Sequence, residues 1–153
     1  MGLFSFGRRI SFLSNDEAAR IVEKIRESEK RTSGEIRVFI ESKCRFVNPI
    51  DRAAEVFWSL QMDHTDERNG VLIYVAAKDH QAAIWGDEGI HKAVGSDFWK
   101  NEVVNMLDHF RQNEYAKGIE LVVSDIGEAL SSHFPYKPGT DRNELPDDIV
   151  FGH

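Results

Sequence analysis

The chain has 153 residues, 41% of them hydrophobic, and 26 acidic side chains against 19 basic ones give a formal net charge of −7. A chain of this length can bury roughly 70% of its unfolded surface around one core. Its acidic balance excludes a general nucleic-acid binder, which needs a basic footprint to release phosphate counterions. The single cysteine, Cys44, can form neither an internal disulfide nor a thiolate metal cluster, which fits a reducing compartment.

Residues 1–13 read as an N-terminal arm. They lack the apolar core and small-residue cleavage site of a signal peptide, and no apolar run in the chain reaches the ~20 residues of a transmembrane segment. A cytoplasmic address is expected. Phe6 stands where a myristoylation signal wants Ser or Thr. Phe4, Phe6, Ile10 and Phe12 are read as a staple onto the first helix, with contact to a membrane surface through Arg8 and Arg9 as the alternative.

Ser14 and Glu17 form a capping box that opens a helix, and Ala18, Ile21, Val22 and Ile25 give it one apolar face. Thr32-Ser33-Gly34 ends it. Residues 35–41 then alternate as a strand, with Ile36, Val38 and Ile40 on one face, and the partly polar other face points to a place nearer the sheet's edge. Asn48 as cap and Pro49 at the first helical position start a second helix. Residues 69–77 are an almost unbroken β-branched and aromatic run, expected as a strand buried on both faces. A strand, a helix and a strand in succession make these two strands parallel across a right-handed crossover.

Lys78-Asp79-His80 turns the chain into residues 81–85, which should return as an antiparallel hairpin. Gly89 and Gly95 argue against a helix in the segment that follows. Two more helices are expected, one opening at Ser96-Asp97 and one at Tyr115, the second running to Phe134-Pro135. Residues 136–153 form an acidic tail whose composition resists a regular element. Its apolar cluster Ile149-Val150-Phe151 is expected to dock on the domain or on a neighbouring chain, while residues 139–143 stay mobile. The fold class that results is a three-layer α/β/α sandwich with a mainly parallel sheet of about four strands including a β-hairpin. The domain itself spans residues 14–135.

The hairpin brings Asp66 and Asn69 beside Asp87 and Glu88. Several hard oxygen donors on a turn-rich edge suit a divalent cation, Ca²⁺ or Mg²⁺. The competing reading makes Asp66 and Asp87 turn residues that bond their own backbone. Asp87 and His91 could hold a transition metal if their segment were helical. The other histidines show no zinc spacing, and phosphate-loop, nucleophile-elbow and paired-cysteine motifs are missing. Trp58, Trp85 and Trp99 read as core or near-core aromatics that pack rather than stack on a ligand.

Thr32-Ser33-Gly34-Glu35-Ile36-Arg37-Val38, Arg68-Asn69-Gly70-Val71-Leu72-Ile73, Ile84-Trp85-Gly86-Asp87-Glu88-Gly89 and the stretch from Phe110 through Tyr115 to Gly118-Ile119 resemble successive signatures of the TPM domain family. Phe98-Trp99, Phe134-Pro135 and Glu144-Leu145-Pro146-Asp147-Asp148-Ile149 resemble its small stand-alone bacterial branch. The resemblance implies an α/β/α sandwich, divalent-cation binding in some members and a weak acid phosphatase activity attributed to a plant member. Two functions follow as expectations. One is cation binding at the carboxylate-rich edge, with at most a slow metal-dependent phosphomonoesterase activity. The other is a non-catalytic module that binds a protein partner, in stress response or envelope maintenance.

Overall fold

The computed structural model describes residues 12–138 and 148–152. In chain order it contains α1 (Asn15–Glu29), β1 (Glu35–Glu41), α2 (Pro49–Ser59), β2 (Gly70–Ala76), β3 (Gln81–Gly86), α3 (Glu88–Val94), α4 (Ser96–Arg111), α5 (Tyr115–His133) and β4 (Val150–Phe151). The capping box forms as expected: Ser14 Oγ accepts from the Glu17 amide at 3.1 Å, and Glu17 Oε1 accepts from the Ser14 amide at 2.8 Å. Asn48 Oδ1 caps α2 by accepting from the Ile50 amide at 3.1 Å.

The strands lie in the order β3-β2-β1-β4. β1 and β2 run parallel in the register Glu35 to Gly70 through Glu41 to Ala76, as a crossover through α2 requires. β2 and β3 are antiparallel, with Leu72 opposite Trp85 and Tyr74 opposite Ala83. β2 is buried along its whole length. One layer is built from Ile36, Val38 and Ile40 of β1 and Val71, Ile73 and Val75 of β2, packed against Ile21 and Ile25 of α1, Met106 of α4 and Ile119 and Ile126 of α5. Phe39, Leu72, Tyr74 and Ala83 face the other way, onto Ala53, Val56 and Phe57 of α2. The expected α/β/α sandwich is therefore present, with α2 as the main cover of one face.

Two local expectations are corrected. Residues 88–94 are helical although Gly89 and Gly95 argue against it. A Cβ on Gly89 would lie 2.3 Å from the Glu67 carbonyl oxygen and 2.7 Å from that of Arg68, so glycine is there for a close backbone approach. Gly95, at φ +83°, is the joint at which the chain turns from α3 into α4. The tail, in turn, supplies a strand: Val150 and Phe151 pair parallel with Phe39 and Ile40 of β1, and Ile149 is buried in the core. Among the described residues, β1 has only this two-residue neighbour on its outer side. The expectation for residues 139–143 lies outside the described residues, as does most of that for the N-terminal arm. Of that arm, Phe12 stacks edge-on against Phe110 at 5.5 Å and tilts over Tyr115 at 4.3 Å.

Candidate functional site

The hairpin closes the predicted edge. The Asp87 amide donates to the Gly70 carbonyl at 2.9 Å and the Gly89 amide to the Arg68 carbonyl at 2.8 Å. The side chains, however, settle around Arg68. Its Nε and Nη2 donate to the two Asp87 carboxylate oxygens at 2.7 and 2.8 Å, and its Nη1 reaches Glu88 Oε1 at 3.3 Å. Asp87 is 3% exposed and also caps α3 through the Glu88 amide at 2.8 Å. The guanidinium thus supplies the positive charge that a cation was expected to supply.

Asn69 belongs to a separate group. It is buried; its Nδ2 donates to Ser33 Oγ at 3.2 Å, and Ser33 Oγ donates to Glu67 Oε2 at 2.6 Å. Lys137 Nζ closes the chain on Glu67 Oε1 at 3.1 Å. The Ser33 hydroxyl and the Lys137 ammonium together hold the Glu67 carboxylate below the usual range. Asn69 Oδ1 is buried without a hydrogen-bond partner among the described residues. Asp66 sits exposed on the turn. Among the described residues no group of three or more His, Cys, Asp or Glu stands ready to hold a metal ion. His91 shares the α3 segment with Asp87, but its Nδ1 accepts from the Trp99 indole at 3.0 Å while Asp87 faces Arg68.

Arg68, Ser33 and Glu67 were missed in the sequence reading. The same hairpin argument that gathered Asp66 and Asn69 also carries Arg68 to Asp87. Counting oxygen donors alone passed over the cation already in the chain.

Two further buried carboxyls are accounted for by their surroundings. Glu41, at the end of β1, takes a bidentate pair from Arg52 at 2.9 and 2.9 Å and a hydrogen bond from the Tyr74 hydroxyl. Burial pushes its pKa up, but the Arg52 and Tyr74 bonds win and hold it low. Glu102, 7% exposed on α4, has no such cation: burial first, and the Asp125 carboxyl second, push its pKa up to about 8.

A concavity runs along the outer side of β3. It is a groove of about 840 Å³, floored by β3, with Ile50 and Trp58 of α2 on one wall and Trp99, Lys100, Val103 and Val104 of α4 on the other. Trp99 is a core aromatic as expected, its ring lying where a Gly86 Cβ would stand, 2.3 Å away. Trp58 is 48% exposed and Val104 55% exposed, so Trp58 lies further out than the core or near-core position expected of it. Arg68, Asp87 and Glu88 close one end of the groove.

The TPM domain model matches residues 9–129. The BA42 protein of the psychrophilic bacterium Bizionia argentinensis is 42% identical in sequence, with 92% of this chain and 96% of that one covered and a TM-score of 0.83. The N-terminal domain of a P. gingivalis protein superposes at a TM-score of 0.64 with 18% identity over 82% of this chain and 83% of that one. The N-terminal domain of the cg2496 protein of Corynebacterium glutamicum gives 0.59 with 14% identity over 88% and 83%. These last two share the fold. No curated protein matches the chain, and among the described residues no helix is long and apolar enough to cross a membrane.

Proposed function

The chain belongs to the TPM domain family, and we propose that within it this domain is a non-catalytic binding module whose seat for a protein partner is the groove beside β3. The observation that carries the reading is the groove itself. It is built on a strand and two helices rather than on loops, its walls are apolar and aromatic, and it leaves Trp58 and Val104 in solvent. A monomer gains nothing from exposing a tryptophan and a valine on facing walls of one cleft, whereas an anchor residue from a partner would bury both. A peptide library displayed on phage, selected on the wild-type protein and counter-screened on Val104→Asp, tests this. Enriched sequences should converge and bind the wild type at least tenfold more tightly than the variant. Enrichment no better than the starting library ends the reading.

A second reading has one observation in its favour. Asn69 Oδ1 is a buried oxygen with no partner among the described residues, close in sequence to the Arg68 pair with Asp87 and Glu88. A hard divalent cation, Ca²⁺ or Mg²⁺, held by Asp66, Asn69, Asp87 and Glu88 would answer it, and any slow phosphatase activity would depend on that ion. Binding has to displace or swing out the Arg68 guanidinium. Melting temperatures that rise with excess Ca²⁺ or Mg²⁺ and not in Asp87→Asn would support this reading; equal values with either ion and with chelator would remove it.

A further inference from the structure

Resting on the binding-module reading, we infer that the occupant of the groove is an extended peptide that adds to the sheet as a fifth strand on the free edge of β3, with an acidic side chain facing Lys100. The backbone pattern comes first. The Asp87 amide bonds to the Gly70 carbonyl, and the register sets Val71 against Gly86, Leu72 against Trp85 and Ile73 against Ile84. Hydrogen-bonded and non-bonded pairs alternate along an antiparallel ladder. The inward-bonded residues of β3 are therefore Trp85, Ala83 and Gln81, while Gly86, Ile84 and Ala82 aim their N–H and C=O groups away from β2. β3 ends the sheet among the described residues. Three donor and acceptor pairs thus stand two residues apart along about 13 Å of groove floor.

Sheet edges left open are normally defended by a lysine, a proline or a bulge. Gln81-Ala82-Ala83-Ile84-Trp85-Gly86 has no charge and no proline, and its pairing with β2 is unbroken in register. Its protection is its position, sunk between the walls of α2 and α4. That recess also selects the occupant. A second copy of the chain would bring its own edge with α2 and α4 beside it, and two recessed edges cannot meet. A single strand, about 4.8 Å from β3, fits between the walls. Successive side chains of such a strand would alternate between the Trp58 wall and the Val103, Val104 wall. Of the two cations lining the groove, Arg68 is bonded to Asp87 and Glu88, while Lys100 is exposed and has no carboxylate partner among the described residues. An aspartate or glutamate on the α4 side of the strand answers it.

The probe is a panel of capped hexapeptides alternating Val and Thr, with one Glu moved through the sequence, titrated into the full chain and followed by amide NMR shifts. The inference expects the largest shifts at Ala82, Ile84 and Gly86. Methylating the amides of one alternating set of peptide residues should weaken binding at least tenfold, and methylating the other set less than twofold, because only one set faces β3. Lys100→Glu should reverse the preference, so that a Lys-bearing peptide binds the variant more tightly than the Glu-bearing one. Equal effects of the two methylation sets would overturn strand addition while leaving the groove as a protein-binding site. Selected library peptides that bind without moving the β3 amides would overturn it in the same way. A concentration-dependent dimer that loses the groove to its own second copy would replace the peptide as occupant. If neither the panel nor the selected library binds, the binding-module reading falls along with the inference.

Discussion

Arg68 decides what the hairpin edge is in this state. Its guanidinium satisfies both oxygens of a carboxylate that is 3% exposed and lies next to a second one. Replacing it by alanine leaves Asp87 buried and unpaired. The cost of breaking such a pair is largely the uncompensated charge, so Arg68→Ala should lower the stability of the fold. Denaturant unfolding of Arg68→Ala measures it. The same variant is informative about Ca²⁺ and Mg²⁺: if the cation reading is right, removing the competing charge raises affinity for the ion, and calorimetric titration should show it. Glu102 supports a prediction of opposite character. Its native pKa of about 8 lies above the ordinary ~4.3 of an unfolded glutamate. Between those values the native state holds more protons than the unfolded one, so stability falls as pH rises across that window and levels off above it. Glu102→Gln cannot ionise. Its melting temperature should therefore gain on the wild type from pH 5 to pH 8, by about 3 °C or more at the upper end, with no further gain beyond. Neither residue's role was legible in the sequence. Asp87 and Glu88 were found there because carboxylates at a turn stand out, but pairing is set by which side chain the register brings opposite, and Glu102 looks like any charged residue of an amphipathic helix until α5 is laid over it.

Most of the elements were readable because each is fixed by a local rule. The Ser14 to Glu17 box, Asn48 before Pro49 and the apolar run of β2 need nothing from the rest of the chain. The exceptions needed tertiary partners. α3 was hidden because Gly89 reads as a breaker, whereas two carbonyls of the preceding turn leave no room for a side chain. Gly89→Ala should favour the isolated helix by about 1 kcal/mol yet destabilise the protein, since backbone rather than a flexible side chain would have to move; thermal unfolding should show a net loss. β4 was hidden because two residues carry no period. It was expected only as something that docks, on the ground that three adjacent apolar residues do not end an acidic tail in water. The Gly152 amide donates to the Ile40 carbonyl at 2.8 Å, so hydrogen exchange should find that amide protected, and Ile149→Ala should weaken the protection while costing about 2 kcal/mol of stability.

Taken whole, the molecule has a sheet with two unlike edges. On one side β3 is sunk between helices; on the other β1 is met by β4, whose residues follow it by more than a hundred positions in the chain. The sheet is therefore finished by residues 150 and 151, after every described helix has been made. A chain still emerging from the ribosome carries β1 with its outer side open, and loop closure over that separation comes late. At high concentration during refolding, the outer side of one β1 is equally available to the β4 segment of another copy. Exchanged dimers, in which each tail completes its neighbour's sheet, should then accumulate in proportion to refolding concentration, and size-exclusion chromatography of chains refolded dilute and concentrated would separate them. A chain ending at Pro138 loses this exchange together with the strand that permits it. The β4 segment is thus a clasp, and whatever delays its fastening decides whether one copy or two are held by it.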